Sequence, residues 1–155
     1  MNNQTIIQLK NLSKKFKLAE ALIDVSFDVE KGEMFGLVGP DGAGKSTLIK
    51  ILCGVEEKDS GKILIFSLDA DKERAEINKK IGYLSQRYSL YGDLTIDENI
   101  EFFARIHGVK NFKSSRDELL EFTRLTQFRN RLVDKLSGGM KQKTALVCAL
   151  IHKPD

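Results

Sequence analysis

A glycine-rich segment, Gly39–Ser46, lies between an apolar run and a run of helix-forming residues. The apolar run Met34–Val38 has no polar alternation, which is typical of a strand buried on both faces of a sheet. Lys45–Cys53 is predicted to be a helix that ends at Gly54, since glycine readily adopts the left-handed conformation that closes a helix. The order strand, glycine loop and helix indicates an α/β protein.

The glycine loop matches the phosphate-binding pattern G-x-x-x-x-G-K-[ST] at every fixed position. Its glycines let backbone N–H groups turn toward a phosphate, and the following helix adds the positive end of its dipole. We expect Lys45 to reach the β- and γ-phosphates of ATP, Ser46 to bind Mg²⁺ and Thr47 to donate near the α-phosphate. A chance match is the alternative, and the strand before and the helix after the loop argue against it. The predicted ATP-binding residues here are Gly39, Pro40, Asp41, Gly42, Ala43, Gly44, Lys45, Ser46 and Thr47.

Further strands and one further helix are predicted in the first half of the chain. Apolar and polar residues alternate strictly in Ile23–Val29, which indicates a strand with one buried face. The other predicted strands are Ile6–Lys10, Lys62–Phe66 and Ile81–Ser85, and the predicted helix is Asp71–Lys80.

The second half is predicted to be mainly helical. Two helices open at capping boxes, in which a hydroxyl and a carboxylate satisfy each other's free backbone donors. The predicted spans are Thr95–Gly108, opened by Thr95 and Glu98, Ser115–Leu125, opened by Ser115 and Glu118, and Ser137–His152, ended by Pro154. Strands in the first half and helices in the second suggest an α/β core with a helical subdomain.

Composition excludes several classes of protein. The net charge of +3 is too small to indicate a nucleic-acid-binding surface. The longest continuous apolar run, Ala145–Ile151, is too short to span a bilayer, and the polar N-terminus lacks the pattern of a signal peptide. Cys53 and Cys148 lie far apart among apolar neighbours, so we expect buried, reduced thiols rather than a disulfide or a metal site.

The run Leu136-Ser137-Gly138-Gly139-Met140 resembles the LSGGQ signature of ABC ATPases. A serine and two glycines at a helix start can form a second anion site, although Ser137 could also be merely an N-cap. The resemblance implies that Ser137, Gly138 and Gly139 cover the ATP held by a second ATPase domain. Two ATPs would then be sandwiched in a head-to-tail dimer.

Two further positions resemble the same family. Gln86 stands where ABC ATPases have the Q-loop glutamine, which would contact Mg²⁺ and the attacking water and sense the membrane partner. Phe16 stands where they have an adenine-stacking aromatic. The alternatives are a solvated loop glutamine and a core phenylalanine. Asp41 occupies a position where many relatives carry asparagine. Catalytic roles would therefore fall to Lys45 and Gln86, and the metal ligands would be Ser46 and Gln86.

The resemblance also implies a fold, partners and a location. The fold would be a P-loop NTPase core sheet with an antiparallel β-subdomain and a helical subdomain. Residues 1–85 would form the core and β-subdomain, 86–136 the Q-loop and helical subdomain, and 137–155 the signature helix. The partners would be a second ATPase domain and a transmembrane permease, with no nucleic acid and no direct membrane insertion. The domain would lie at the cytoplasmic face of the membrane, and the stretch 86–108 is most similar to ATPases of bacterial ABC-2-type exporters.

The aspartate-glutamate pair that follows the signature helix in ABC ATPases is not found in the sequence. Ile63–Asp69 comes too early and is interpreted as a strand and turn, and His107 and His152 as surface residues at helix ends. We expect a chain truncated at its C-terminal end that binds ATP but hydrolyses it poorly. A nucleotide-binding module without turnover, or another P-loop enzyme such as a kinase, remains the alternative.

Overall fold

The computed structural model describes residues 4–17, 19–86 and 89–155. The chain divides into two compact units, Met1–Asn78 and Lys79–Asp155. The division into residues 1–85, 86–136 and 137–155 stays a prediction.

The first unit is built on an antiparallel sheet. Its strands are β1 (Thr5–Phe16), β2 (Ala19–Glu30), β3 (Ser60–Ile65) and β4 (Leu68–Asp69), in the order β2-β1-β3-β4. In β3 the alternate residues Ile63 and Ile65 are buried, and in β2 burial alternates from Val25 to Val29, as the apolar pattern predicts. The predicted antiparallel β-subdomain is confirmed, and so is the interpretation of Ile63–Asp69 as strand and turn.

Two helices accompany this sheet along the chain. Helix α1 (Lys45–Leu52) directly follows the glycine loop, as predicted, and buries Leu48 and Ile51. Helix α2 (Arg74–Lys80) begins later than predicted, because the residues before it form turns.

Two predicted strands are absent from the described residues. Met34–Val38 and Ile81–Ser85 are not strands, and the side chains of Met34 and Val38 are 100% and 98% exposed. A strand needs a neighbour that pairs with its backbone N–H and C=O groups. In the described ranges no strand pairs with either segment, so the prediction of two core strands here is wrong.

The second unit is helical. Helices α3 (Ile96–Ile106), α4 (Lys113–Thr123) and α5 (Gly138–Leu150) surround one apolar core. Among the core residues are Ile96, Ile100, Ala104, Phe112, Leu120, Leu125, Val133, Leu136, Val147, Cys148 and Ile151. None of the helices in the described ranges is long and apolar enough to cross a bilayer.

The two predicted capping boxes have different outcomes. Thr95 Oγ1 accepts from Glu98 N, and the Glu98 carboxylate accepts from Thr95 N, so the first box is confirmed. The second is wrong, because α4 begins at Lys113 with Phe112 as its N-cap and no side-chain cap. Phe112 is buried in the core, and this burial places the helix start ahead of Ser115.

The burial of the cysteines and histidines also differs in part from the prediction. Both cysteines are free, but Cys53 is only half-buried, whereas burial raises the pKa of the Cys148 thiol to about 12. His152 is not a simple surface residue, because its Nδ1 is buried and its ring stacks on His107.

Candidate nucleotide-binding site

The loop before α1 has the backbone geometry that glycine permits. Gly42 and Gly44 both have φ of +82°, in the left-handed region that side chains disfavour. A Cβ on Gly44 would lie 2.2 Å from the carbonyl oxygen of Ala21 and 2.9 Å from Leu22 Cδ2. Strand β2 therefore contacts the loop so closely that only glycine fits at position 44.

The start of α1 leaves backbone donors free. Gly44 is the N-cap and provides no side-chain cap. The backbone N–H groups of Lys45, Ser46 and Thr47 have no acceptor in the described ranges, as expected for the first turn of a helix. Free donors and the positive end of a helix dipole together favour a bound anion.

The Lys45 ammonium lies across the glycine loop. Its Nζ donates to Gly39 O at 2.8 Å and to Pro40 O at 2.6 Å. An ammonium has three hydrogens, so these two bonds leave one hydrogen for a further acceptor. The side chain thus holds a positive charge against the first two carbonyl oxygens of the glycine loop, while Asp41 is exposed to solvent.

The two hydroxyls after Lys45 fit a magnesium-nucleotide complex. Ser46 is exposed, Thr47 is half-buried, and neither hydroxyl is hydrogen-bonded within the described residues. In that part of the chain no three His, Cys, Asp or Glu residues lie together as a metal site would need. A single hydroxyl could still serve Mg²⁺, because this ion takes most of its oxygens from phosphates and water.

Phe16 is the candidate for stacking on the base. It closes β1, pairs with Ala19 of β2, and its side chain is 42% exposed, so it is not a core residue. Lys14 Nζ lies 5.0 Å from the ring centroid, a cation–π distance. The ring therefore belongs to the same two-stranded ribbon that contacts Gly44.

Gln86 and the signature residues belong to the second unit. Gln86 is exposed and follows the segment Ile81–Ser85, which is not a strand. Ser137 is the N-cap of α5, and its Oγ accepts from Met140 N at 3.3 Å. Gly138 and Gly139 form the first turn, and no atom lies within 4 Å of a Cβ built on Gly139. The signature is thus a helix start that, unlike the start of α1, has a side-chain cap, and it leaves open space beside Gly139.

Arg74 is a supporting residue that the sequence did not reveal. Its guanidinium donates to Leu52 O at 2.8 Å and to Ile51 O at 3.5 Å, at the C-terminal end of α1. A Cβ on Gly54 would lie 2.8 Å from Arg74 Cδ, so the absence of a side chain there gives the arginine room. The sequence around Arg74 does not indicate this contact, because the carbonyl oxygens that accept its hydrogen bonds belong to an earlier part of the chain.

The glycine loop, the lysine and the open helix start define a P-loop nucleotide-binding protein. The family model described as ABC transporter matches residues 22–155. The chain therefore belongs to the ABC transporter family.

Two curated relatives show the range of this family. The chain is 40% identical to the "Probable multidrug ABC transporter ATP-binding protein YbhF" of Escherichia coli (strain K12), over 98% of this chain and 27% of that protein. It is 38% identical to the "Sulfate/thiosulfate import ATP-binding protein CysA" of Synechococcus elongatus, over 96% of this chain and 44% of that protein. The chain thus spans less than half the length of either relative.

Two solved structures share the fold. One is described as the ATP-binding subunit of an ABC transporter and superposes with a TM-score of 0.86 at 32% identity, covering 96% of this chain and 63% of that one. The other is a dimeric post-hydrolysis state of the ATP-binding cassette MJ0796 bound to ADP and Pi, with a TM-score of 0.84 at 28% identity, covering 96% and 70%. The predicted α/β fold class is confirmed by these likenesses.

Proposed function

We propose that this chain is part of the ATP-binding subunit of an ABC transporter and binds Mg-ATP through Gly39–Thr47. The observation that carries the proposal is a glycine loop that holds the Lys45 ammonium on Gly39 O and Pro40 O and ends at the free N–H groups of α1. Such an arrangement favours phosphate as a ligand, because the backbone donors, the helix dipole and the lysine charge would all stabilise one anion.

Other residues extend the contact with the nucleotide. The exposed ring of Phe16 would stack on adenine, Ser46 would bind Mg²⁺, and Gln86 would contact the metal and the attacking water. A bound Mg²⁺ would supply charge neutralisation at the β- and γ-phosphates.

The signature residues would act on a second subunit. Ser137, Gly138 and Gly139 would bind the γ-phosphate side of an ATP held by another ATPase domain in a head-to-tail dimer. Support comes from the open helix start at Ser137 and from the likeness to a cassette described as dimeric.

The remaining partner would be a transmembrane permease at the cytoplasmic face of the membrane. ATP binding and hydrolysis would drive transport, and export is our proposal for the direction. A relative named as a multidrug transporter supports export, while the name of the relative CysA specifies import. We propose no nucleic-acid partner.

Hydrolysis by residues 1–155 alone should be slow. Phosphoryl transfer to water requires a positioned base as well as a bound phosphate. No apolar run in the sequence of residues 1–155 ends in an aspartate-glutamate pair. The family match argues against a kinase with a chance signature.

Isothermal titration calorimetry with Mg-ATP tests the proposal. Lys45→Ala should weaken binding at least about tenfold, since a charge-assisted contact to phosphate contributes roughly 1.5–3 kcal/mol. Lys50→Ala is the matched control, because Lys50 is exposed in the last turn of the same helix. Equal affinities of the two variants would refute the assignment of Lys45.

A further inference from the structure

The buried side chain of Asn99 holds the segment that precedes α3. Its Oδ1 accepts from Tyr91 N at 2.9 Å, and its Nδ2 donates to Tyr91 O at 3.0 Å and to Thr95 O at 2.9 Å. A longer contact joins Nδ2 to Leu94 O at 3.4 Å. Asn99 is 0% exposed, so these bonds form away from water, where leaving them unmade is most unfavourable.

The same segment, Tyr91–Thr95, is bonded on another side to the residues that precede the signature. Val133 N donates to Leu94 O at 2.9 Å, and Asp134 N donates to Gly92 O at 3.0 Å. An isolated antiparallel bridge also joins Thr95 to Leu132. The segment thus lies between the Asn99 amide and the backbone of Leu132–Asp134.

The approach of these two stretches is close. A Cβ on Gly92 would lie 2.2 Å from Asp134 Oδ1 and 2.4 Å from its Cγ. The carboxylate of Asp134 therefore occupies the space that a side chain at position 92 would need. A shift of Tyr91–Thr95 would be transmitted to Asp134 through both backbone and side-chain contacts.

A short turn connects Asp134 to the signature serine. Val133–Lys135 forms a single 3-10 turn, in which Leu136 N donates to Val133 O at 3.1 Å. Leu136 is buried in the core, and the next residue, Ser137, caps α5. The place of the Ser137 hydroxyl therefore depends on the place of Val133 and Asp134.

We propose that Asn99 is a positioning residue for the signature turn at Ser137. The inference rests on the proposed function in one respect: a fixed position of Ser137 matters for function only if Ser137 contacts a nucleotide. Asn99 does not touch that nucleotide. Its hydrogen bonds hold the backbone of Tyr91–Thr95 in place. That backbone in turn holds Leu132–Asp134, and the position of Leu132–Asp134 determines where α5 begins. The competing explanation is a buried amide that only stabilises the core.

Amide hydrogen exchange of the chain without nucleotide separates these explanations. Asn99→Leu keeps the approximate volume and removes every side-chain hydrogen bond. Thr123→Val is the matched control, since the buried Thr123 hydroxyl donates to Leu119 O in α4 and to neither stretch. The comparison is made in denaturant concentrations that give the two variants equal global stability.

In Asn99→Leu the amides of Val133, Asp134 and Met140, none of which bonds to Asn99, should exchange at least about tenfold faster than in Thr123→Val. Equal exchange at these amides would overturn the inference and leave Asn99 as a core-stabilising residue.

A second measurement connects the inference to nucleotide. Asn99→Leu should weaken ATP-dependent self-association at least about threefold relative to Thr123→Val, and leave the Kd for Mg-ATP unchanged. A changed Kd with unchanged association would contradict the positioning role. If neither variant nor the unsubstituted chain binds Mg-ATP, the proposed function fails, while the exchange result still decides the role of Asn99.

Discussion

The imidazole rings of His107 and His152 lie face to face, with centroids 3.9 Å apart and planes within 4° of parallel. His107 is the C-cap of α3, and His152 follows α5. The Nε2 atom of His152 lies 3.0 Å from Ile81 O and donates its hydrogen to that carbonyl, while the buried Nδ1 has no hydrogen-bond partner among the described residues.

This pair predicts that stability falls in mild acid. Burial, and then the charge of His152, lower the pKa of His107 from its ordinary value of 6.5. In the unfolded chain the ring binds a proton near pH 6.5, whereas the folded chain binds it only at lower pH. Stability is thus complete above pH 6.5 and declines as the pH falls from there to the folded pKa. We expect Tm to be lower at pH 5.5 than at pH 7.5, and the difference to be small because His107 is exposed and solvent screens its interactions.

Thermal melts of His107→Phe provide the comparison. Phenylalanine retains an aromatic stack but cannot titrate, so the dependence of Tm on pH should become shallower in this window. Hydrogen bonds from Thr95 lower the pKa of Glu98. The contribution of Glu98 to stability is therefore lost only at lower pH, and it does not affect the dependence of Tm on pH in this window. An identical pH dependence in both proteins would exclude His107 as the titrating group.

The glycine loop predicts different costs for two alanine substitutions. Gly42 and Gly44 have the same φ of +82°, but only Gly44 faces the Ala21 carbonyl oxygen. Gly42→Ala should cost about 1–2 kcal/mol, the conformational penalty alone. Gly44→Ala should cost more and also weaken Mg-ATP binding, because β2 or the loop must move. Urea unfolding and calorimetry on both variants measure the difference. The steric argument fails if the two variants behave alike.

The contact of Arg74 with α1 predicts a loss of stability on its removal. Arg74→Ala deletes a cationic donor from the C-terminal carbonyls of the P-loop helix, which should cost about 1–2 kcal/mol. Arg74→Lys should recover part of this, since it keeps the charge but not the fork of donors. Lys72→Ala, at an exposed neighbouring position, is the control in the same urea experiment. A loss no greater than that of the control would show that the contact contributes nothing.

The Ser137 cap predicts a separation of association from binding. Ser137→Arg should block ATP-dependent dimerisation and spare the Kd for Mg-ATP, because the arginine side chain would fill the open helix start. Ser137→Ala should cost about 1 kcal/mol as a lost N-cap. Sedimentation with and without Mg-ATP reports the first effect and thermal unfolding the second. Normal ATP-dependent dimers of Ser137→Arg would contradict the role of the signature in a second subunit.

Local sequence patterns predicted some helix starts and not others. The Thr95 and Ser115 sites have the same capping pattern, but only the first is a cap. At α4 the burial of Phe112 in the core decides where the helix begins. Capping contributes about 1 kcal/mol, and burying an aromatic ring contributes more. Tertiary burial therefore overrides the local signal.

The phosphate loop was predictable because its chemistry is contained in one short segment. The roles proposed for Lys45, Gly44 and Ser46 follow from their spacing alone and stay predictions. Arg74 and Asn99 were not predictable, since their side chains bond to backbone carbonyls whose positions are set by the fold. The prediction of a buried strand at Met34–Val38 is wrong, because a strand depends on a pairing neighbour that a local apolar pattern does not locate.

The two carbonyl bonds of Lys45 also bear on ligand choice. A molecule that draws this ammonium away from Gly39 and Pro40 must replace both contacts with stronger ones. A neutral nucleoside cannot do so, and a single phosphate does so weakly, whereas adjacent phosphates present several ionised oxygens. If Gly39–Thr47 binds nucleotide as proposed, the carbonyl oxygens of Gly39 and Pro40 would compete with the ligand for the ammonium, and nucleotides with adjacent phosphates would bind more tightly than those with one phosphate or none.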